Sequence, residues 1–391
     1  MEPEMAEPLT SQQRLQLTLQ HREPDRVPLD IGSNSSTGIA VRAYKRLRER
    51  YEITSTIELA DQVQQLAAID EALLDRLEVD TRGVSPGLPI PTDRAYEQDG
   101  DYRYFTDPFG IRFAMPIAGG VYFDMVEHPL PGSTSREDIA RYRFPEPEPV
   151  PPQHLAAMRR WARRDNPPAI VLEATPGGIL EISSWLRGYE SFFLDLAGDP
   201  RLAAYLMERV LDYKLACWAA FFRTVEGDFE VVFESDDLGV QNGPMISPEV
   251  YRTYLKPLHR RLFDGIRAMA PRPVSIALHS CGSVHEFLPD LIEIGLDILN
   301  PVQVSAQGMD TKSLKERFGR DLTFWGGGVD TQRVLPFGTP QEVRDEVRRR
   351  IDDLAPGGGF VFATVHNIQA FVPLENIVAM LEAFEEARAS R

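Results

Sequence analysis

The sequence predicts an α/β fold, a (β/α)8 TIM barrel with a β-hairpin inserted between its second and third strands. Eight short apolar runs recur along the chain, helical patterns separate most of them, and one stretch of strand-like alternation interrupts the order. Strands that are apolar throughout and separated by helices are typical of a parallel sheet buried on both faces. Eight such units in 391 residues favour a closed barrel over an open sheet.

Each apolar run is interpreted as one barrel strand. We expect strands near residues 27–31, 79–84, 169–174, 230–235, 274–279, 298–302, 322–325 and 359–365. Helix starts lie between several of them, marked by a capping side chain followed by proline, as at Asp199-Pro200, Ser247-Pro248 and Thr339-Pro340.

Residues 101–152 differ from the rest in pattern. Asp101–Met115 alternates around a Pro-Phe-Gly turn, which indicates a β-hairpin, and Val121–Val126 is a candidate third strand. Pro145–Pro152 is predicted to be a stiff polyproline-like connector. Because about 50 residues bury little core alone, we expect a single barrel domain over residues 1–391, with 101–152 inserted in it.

Charge and composition limit the classes of partner. With 42 basic and 59 acidic side chains the net charge is −17, which argues against nucleic acid and anionic membranes as partners. The two cysteines, Cys217 and Cys281, imply no disulfide framework. The start of the chain lacks the apolar segment of a signal peptide, and no apolar run reaches the roughly 20 residues of a membrane span. We expect a cytoplasmic protein; a homodimer is left open.

Polar residues end the predicted strands on the side where (β/α)8 barrels carry their active sites. His279 and Cys281 are two residues apart and point to the same side of a strand end, and His366 ends the eighth strand at the same rim. Imidazole and thiolate are good zinc ligands, so these three form the candidate metal site. Alternatively, the histidines contact substrate directly and Cys281 is a small buried filler.

Carboxylates form a second candidate set. Glu234, Asp236 and Asp237 follow the fourth strand and are candidate catalytic residues, because clustered carboxylates raise one another's pKa and one can then act as an acid. The alternative is that they cap the next helix or pair with an arginine. Other strand ends supply the candidate substrate-binding residues, which are Asp30, Glu173, Gln303 and Asn367.

Several further residues are expected to be structural. Cys217 lies in an apolar helical pattern and is predicted to be in the core, whereas His259 and His285 are predicted to lie on the surface. Thr175–Gly178 either presents backbone N–H groups to an anion or only starts a helix.

Four stretches together resemble the uroporphyrinogen decarboxylase superfamily, and most of all its methyltransferase-like branch. They are HREPDRVPLD (21–30), FESDDLGVQNGPMISPEVYRTYLKPLHRRL (233–262), LHSCGSV (278–284) and GGGFVFATVHNIQAFVPLENI (357–377). The resemblance covers nearly the whole chain and implies a (β/α)8 barrel. Decarboxylases of the superfamily bind substrate carboxylates through an arginine-rich N-terminal motif, and the matching residues 30–37 contain no arginine.

Corrinoid-dependent methyltransferases of this branch, such as the methylcobalamin:coenzyme M methyltransferases, bind zinc through an HxC pair and a later cysteine. The resemblance therefore implies that His279 and Cys281 hold zinc, with His366 in place of the later cysteine. Cobalamin-independent methionine synthase is similar at the pair and adds a glutamate where this chain has Gln303. The implied function is zinc-dependent methyl transfer between methylcobalamin, carried by a corrinoid protein, and a small thiol or other methyl donor or acceptor.

Two other functions stay open. The first is a metal-independent decarboxylase or lyase, in which Asp236, Asp237 and His366 move protons on an acidic small molecule. The second is a barrel that has lost its activity and serves as a binding subunit. The density of polar residues on one rim argues against the second.

Overall fold

The computed structural model describes residues 8–86, 96–132 and 135–389, so part of the N-terminal stretch considered for a signal peptide lies outside it. The strands are β1 (Leu59–Asp61), β2 (Leu66–Ala67), β3 (Thr81–Val84), β4 (Glu97–Asp99), β5 (Tyr102–Thr106), β6 (Arg112–Pro116), β7 (Asp124–Glu127), β8 (Ala169–Leu172), β9 (Val231–Ser235), β10 (Gly239–Val240), β11 (Gly243–Pro244), β12 (Ser275–His279), β13 (Ile298–Asn300), β14 (Thr323–Trp325) and β15 (Phe360–Val361).

The helices surround these strands. They are α1 (Ser11–Leu19), α2 (Val41–Arg50), α3 (Glu71–Arg76), α4 (Arg136–Arg141), α5 (Pro152–Trp161), α6 (Ile179–Arg187), α7 (Tyr189–Gly198), α8 (Pro200–Phe222), α9 (Pro248–Val250), α10 (Lys256–Met269, preceded by a π-helical turn at Tyr251–Leu255), α11 (Leu288–Glu293), α12 (Thr311–Phe318), α13 (Val334–Phe337), α14 (Pro340–Leu354) and α15 (Leu374–Ala389). The predicted caps are present: for example, Ser247 Oγ accepts from the Val250 N–H. No helix in the described part of the chain is both long and apolar enough to cross a membrane.

Seven parallel strands form one sheet in the order β3-β8-β9-β12-β13-β14-β15, so each pairs with the barrel strand before it in the sequence. The eighth position is filled by a bridge at Leu29, where the sequence predicts a full strand over 27–31. The Asp30 N–H donates to the Phe362 carbonyl at 2.9 Å, and the Asp80 N–H donates to the Leu29 carbonyl at 2.9 Å. Pro28 has no N–H to extend this ladder. The barrel prediction is confirmed, with its first strand reduced to one bridge.

A buried carboxylate holds the closing segment in place. Asp80 is fully buried just before β3 and accepts from the Leu29 N–H at 2.9 Å. Its oxygens also bind the guanidinium groups of Arg14 and Arg26, each at 2.7 Å. Charge-assisted hydrogen bonds of this kind are stronger than neutral ones. The barrel is therefore closed at the N-terminal end of its strands largely by side chains.

Alternate strand residues fill the inside of the barrel. Val231 and Phe233 of β9 belong to the inner cluster, which also contains Trp325 and, from α1, Leu15. Val232, between them, packs in the outer cluster with the helices. The interior is thus a packed core, as in other barrels of this type. The same alternation decides which polar residue of each strand end faces the mouth.

The inserted segment is an antiparallel sheet of order β4-β5-β6-β7. Its centre is the predicted hairpin, in which β5 pairs with β6 around a turn closed by the Gly110 N–H and the Asp107 carbonyl at 2.9 Å. Gly110 has a φ of +79°, which favours glycine. β7 lies close to the predicted third strand, whereas β4 was not predicted. Since all three residues of β4 are exposed and polar, it offers no apolar alternation to find.

Candidate functional site

His279 ends β12 at the mouth of the barrel, and its ring is fixed by the neighbouring strand. Its Nδ1 lies 2.6 Å from Oδ1 of Asn300, whose Nδ2 donates to the Trp325 carbonyl at 3.0 Å. Because the amide nitrogen is committed to that carbonyl, the amide oxygen faces His279 and accepts its Nδ1–H. Burial lowers the pKa of His279 to about 4. At neutral pH, Nε2 therefore presents a lone pair, as a metal ligand must.

Cys281 and His366 lie next to the Nε2 side of His279. The Sγ of Cys281 lies 3.3 Å from Nε2 of His279, and the His366 ring centre lies 5.4 Å from that of His279. The ligand atoms of all three residues lie within 4.8 Å of one another. Ligands around one tetrahedral zinc ion are separated by about 3.4–3.8 Å, so small side-chain movements suffice. Burial, with a smaller effect of His279, lowers the pKa of His366 to about 4 and keeps it neutral. The donor set fits zinc.

The thiol of Cys281 is held neutral by its surroundings. Burial raises its pKa well above the usual value, and the charges of Asp237 and Glu181 raise it further. The Cys281 N–H donates to Oδ1 of Asp237 at 2.7 Å, which fixes the backbone between the two nearest candidate ligands. A divalent cation bound at this cluster would reverse the preference and favour the thiolate.

Two carboxylates stand beside the candidate ligands. Oδ1 of Asp237 lies 3.9 Å from Nε2 of His279, and burial raises the pKa of Asp237. Burial and the charges of Asp237 and Asp236 raise the pKa of Glu181 well above its usual value. Glu181 was not among the residues predicted from the sequence. A signal was present, because a glutamate three residues into a helix from Gly178 is in the capping position, and Gly178 N–H donates to it at 3.1 Å.

Asp236 does not face this cluster. It is fully buried, and its carboxylate accepts from the N–H groups of Leu180 at 2.9 Å and Glu181 at 3.0 Å, at the start of α6. His259 Nε2 lies 2.9 Å from the same carboxylate. The geometry gives Asp236 the capping role, not the predicted catalytic one. The Asp236 carboxylate thus occupies the start of α6, the position after Thr175–Gly178 that could otherwise have bound an anion.

The prediction of a surface position for His259 is wrong, since only 1% of this residue is accessible. His259 packs parallel to Phe263, one turn further along α10, with ring centres 6.0 Å apart. Its spacing from Phe263 and Leu262 places it on the apolar face of the helix, which is the signal that would have found it. The prediction for Cys217 is confirmed, since it is 2% exposed.

Glu234 lies on the opposite face of its strand from the mouth. Its carboxylate is 2.9 Å from Nζ of Lys214 and accepts from the indole N–H of Trp218, both on α8. The inner positions of β9 are Val231 and Phe233, so Glu234 is turned outward between the strand and the helix. The predicted catalytic role of Glu234 is therefore not supported, and its place is structural.

The four predicted substrate-binding residues are all buried and hold loops. Glu173 Oε1 accepts from the hydroxyl of Ser35 at 2.7 Å, and Asn367 Nδ2 donates to the Ser35 carbonyl at 2.9 Å. Gln303 Oε1 accepts from the N–H of Gly282, directly after Cys281, at 2.6 Å. Asp30 accepts from the Trp325 indole at 2.7 Å. Their polar atoms shape the loops at the mouth, and direct substrate binding is not supported.

Glu173 makes the stability of the protein depend on pH. Burial raises its pKa to about 7, whereas the ordinary value is 4.5. Between these values Glu173 keeps a proton in the folded protein that it has lost in the unfolded chain. The proton therefore stabilises the fold, fully below pH 4.5, and this contribution is lost as pH rises to 7. We expect the free energy of unfolding of Glu173→Gln, compared with that of the wild type, to rise by at most about 3 kcal/mol from pH 5 to pH 8.

Urea unfolding of both proteins at pH 5 and at pH 8 measures this difference in the free energy of unfolding. Glu316→Gln, at an exposed position of α12, is the control and should show no such trend. A difference between Glu173→Gln and wild type that is the same at pH 5 and 8 would contradict the assignment.

Comparison with known families agrees with the geometry. The model of the uroporphyrinogen decarboxylase (URO-D) family matches residues 108–387, well over half of the chain. The chain belongs to the uroporphyrinogen decarboxylase family. The family resemblance expected from the sequence is thus confirmed.

Members with different named activities are similar to this chain. A methylated-thiol–coenzyme M methyltransferase of Methanosarcina mazei is 29% identical over 212 residues, which are 54% of this chain and only 52% of that protein. A uroporphyrinogen decarboxylase of Psychromonas ingrahamii is 24% identical over 295 residues, 72% of this chain and 77% of that protein. The solved structure of a methyltransferase from Methanosarcina mazei matches with a TM-score of 0.62 at 18% identity, over 97% of this chain and 99% of that one. This last match supports the fold alone.

Proposed function

We propose that this protein is a zinc-dependent methyltransferase that moves a methyl group between the methylcobalamin of a corrinoid protein and a small thiol or other methyl donor or acceptor. The observation that carries the proposal is the convergence of His279, Cys281 and His366, whose ligand atoms lie within 4.8 Å of one another. Similarity to a methyltransferase that acts on methylated thiols supports the same chemistry.

The chain's own residues prepare this chemistry. Zinc held by the three ligands would lower the pKa of a bound thiol, so that its thiolate persists at neutral pH. Asn300 sets the tautomer of His279, and Gln303 and Asp237 fix the backbone on either side of Cys281. Since His366 is neutral where a cysteine would be negative, the bound thiolate should be less nucleophilic than in a site with two cysteines.

Two observations argue against the decarboxylase alternative. Residues 30–37 supply no arginine to bind the carboxylates of an acidic substrate. The oxygens of Asp236 accept from Leu180, Glu181 and His259, which leaves it poorly placed to carry a proton to a substrate. Methyl transfer is the function that these contacts favour.

The test is demethylation of free methylcobalamin by the zinc-loaded protein and a small thiol. The reaction is monitored by the loss of methyl–cobalt absorption. We expect thiol-dependent turnover, reduced about 100-fold in Cys281→Ser, because a lost Lewis-acid contact of about 3 kcal/mol has that effect on a rate. Cys217→Ser changes the buried cysteine of α8 and should keep its activity.

Two results would overturn the proposal. One is wild-type protein with a full complement of zinc that leaves methylcobalamin intact with every thiol tried. The other is release of CO2 from small carboxylic acids at a rate that chelation does not change, which would establish the decarboxylase alternative.

A further inference from the structure

The hairpin of β10 and β11 packs directly on the turn that carries Cys281. The Ser283 N–H donates to the Val240 carbonyl at 2.9 Å, so the hairpin and the turn share a backbone hydrogen bond. A Cβ atom on Gly282 would lie 2.4 Å from the carbonyl carbon of Gly239, which leaves no room for a side chain between the two backbones. Gly282 also has a φ of +84°, which favours glycine. The position of Cys281 is therefore coupled to that of the hairpin.

Hydrogen bonds fix the backbone on both sides of Cys281. Its own N–H donates to Oδ1 of Asp237 at 2.7 Å, and the N–H of the next residue, Gly282, donates to Oε1 of Gln303 at 2.6 Å. Since peptide groups are planar, these two bonds set the orientation of the peptide planes that flank the Cα atom of Cys281. The direction of the Cα–Cβ bond follows from those planes, and with it the region that Sγ can reach.

Gln303 is itself held by a second amide, that of Gln241 at the tip of the hairpin. Gln303 Nε2 donates to Oε1 of Gln241 at 3.0 Å, and Gln241 Nε2 donates to the Ser305 carbonyl. This chain begins at a backbone donor and ends at a backbone acceptor, so each amide satisfies it in one orientation. Turning either amide over would bring two donors face to face, and two acceptors as well. The Gln241 carbonyl also accepts from the Gln307 N–H at 3.0 Å, which fixes the tip.

We propose that Gln241 is a positioning residue for the candidate metal site and that it acts through Gln303 to place Sγ of Cys281 for zinc. In the described part of the chain, the Gln241 side chain is hydrogen-bonded to Gln303 and Ser305 alone, so its effect on the ion is indirect. Without Gln241, the Gln303 amide is free to turn over, and the Gly282 N–H loses its fixed acceptor. The inference rests on the proposed function, because it concerns the geometry of the same metal cluster.

Zinc affinity and the spectrum of the cobalt(II)-substituted protein test this role. Competition with a chromophoric chelator gives the zinc affinity, which Gln241→Leu should lower about 10-fold, as the loss of an outer partner of a metal ligand does. In the cobalt protein, the thiolate-to-cobalt charge-transfer band should shift or weaken, because it depends on the cobalt–sulfur geometry. A loss of stability alone would leave that band as in the wild type.

Gln241→Glu keeps the size of the side chain and can still accept from Gln303, but it cannot donate to the Ser305 carbonyl. It should show the same changes to a smaller extent, and it takes the place of the leucine variant if that protein does not fold. Gln332→Leu is the control, since it removes a different partner of Ser305, an exposed amide 3.1 Å from the hydroxyl. The control should bind zinc as the wild type does.

A double-mutant cycle shows whether Gln241 acts through Gln303. Gln303→Leu should lower the zinc affinity at least as much as Gln241→Leu, and the double variant should lose no more than Gln303→Leu alone. Wild-type affinity or a wild-type cobalt spectrum in the Gln241 variants, or losses that add fully in the double variant, would rule out this role and leave the zinc site standing. Wild-type protein that binds neither ion would remove the proposed function, and this inference with it.

Discussion

Cys281→Ser and His279→Ala are each expected to lower the zinc content from about one ion per chain to below about 0.1, because each removes one of three protein ligands and neither serine nor alanine replaces it. Elemental analysis of protein purified without chelators measures the content. In the wild type, zinc affinity should fall with acidity as the imidazoles and the thiolate take up protons. Cys217→Ser, far from the cluster in α8, is the control and should bind zinc normally.

Substitutions of His366 extend the same measurement to the third ligand. If it binds zinc, His366→Cys should hold the metal better than His366→Gln or His366→Ala, because a thiolate is a good zinc ligand and an amide is a weak one. Full zinc occupancy in His366→Ala would show that His366 contacts the substrate instead. Wild-type protein without stoichiometric metal would contradict the metal site altogether.

Lys214→Met is expected to lower the free energy of unfolding by about 3–5 kcal/mol, the usual result of removing one partner of a buried ion pair. Lys214 is fully buried, with its Nζ 2.9 Å from a carboxylate oxygen of Glu234. Methionine fills a similar volume but leaves the carboxylate without a counter-charge between β9 and α8. Urea unfolding measures the change.

The double variant Lys214→Met, Glu234→Gln removes both charges and should recover a large part of that loss. Arg261→Met breaks an exposed pair with Asp212, at 4.0 Å, and should cost no more than about 0.5 kcal/mol. A loss of less than about 1 kcal/mol in the single variant would show that Glu234 does not depend on Lys214 for its charge balance.

The candidate metal cluster could be predicted from the sequence because it depends on one general property of the fold. All parallel strands of a barrel end at the same rim, so the residues that end β12 and those that follow β15 lie close together. The identity of His279, Cys281 and His366 then indicated the chemistry. Neither step required knowledge of contacts between distant side chains.

The rest of the site depends on such contacts. Whether Asp236 acts on a substrate or caps a helix is decided by α6, which lies more than 40 residues earlier in the chain. Glu173 and Asn367 looked like ligand-binding groups until the loop around Ser35 was seen to occupy them. Polar residues at strand ends can face a ligand or hold a loop, and only the folded structure distinguishes these uses.

The closure of the barrel affects the order in which the chain can fold during synthesis. The seven strands of the barrel sheet, β3, β8, β9, β12, β13, β14 and β15, can pair one after another as they emerge, because each after β3 lies next to the one before it. The bridge at Leu29 cannot form until Phe362 exists, near the far end of the chain. The N-terminal segment therefore emerges first but lacks its partner strand for almost the whole time of translation. Until then, the contacts of Asp80 with Arg14, Arg26 and the Leu29 N–H can already hold that segment against the growing sheet.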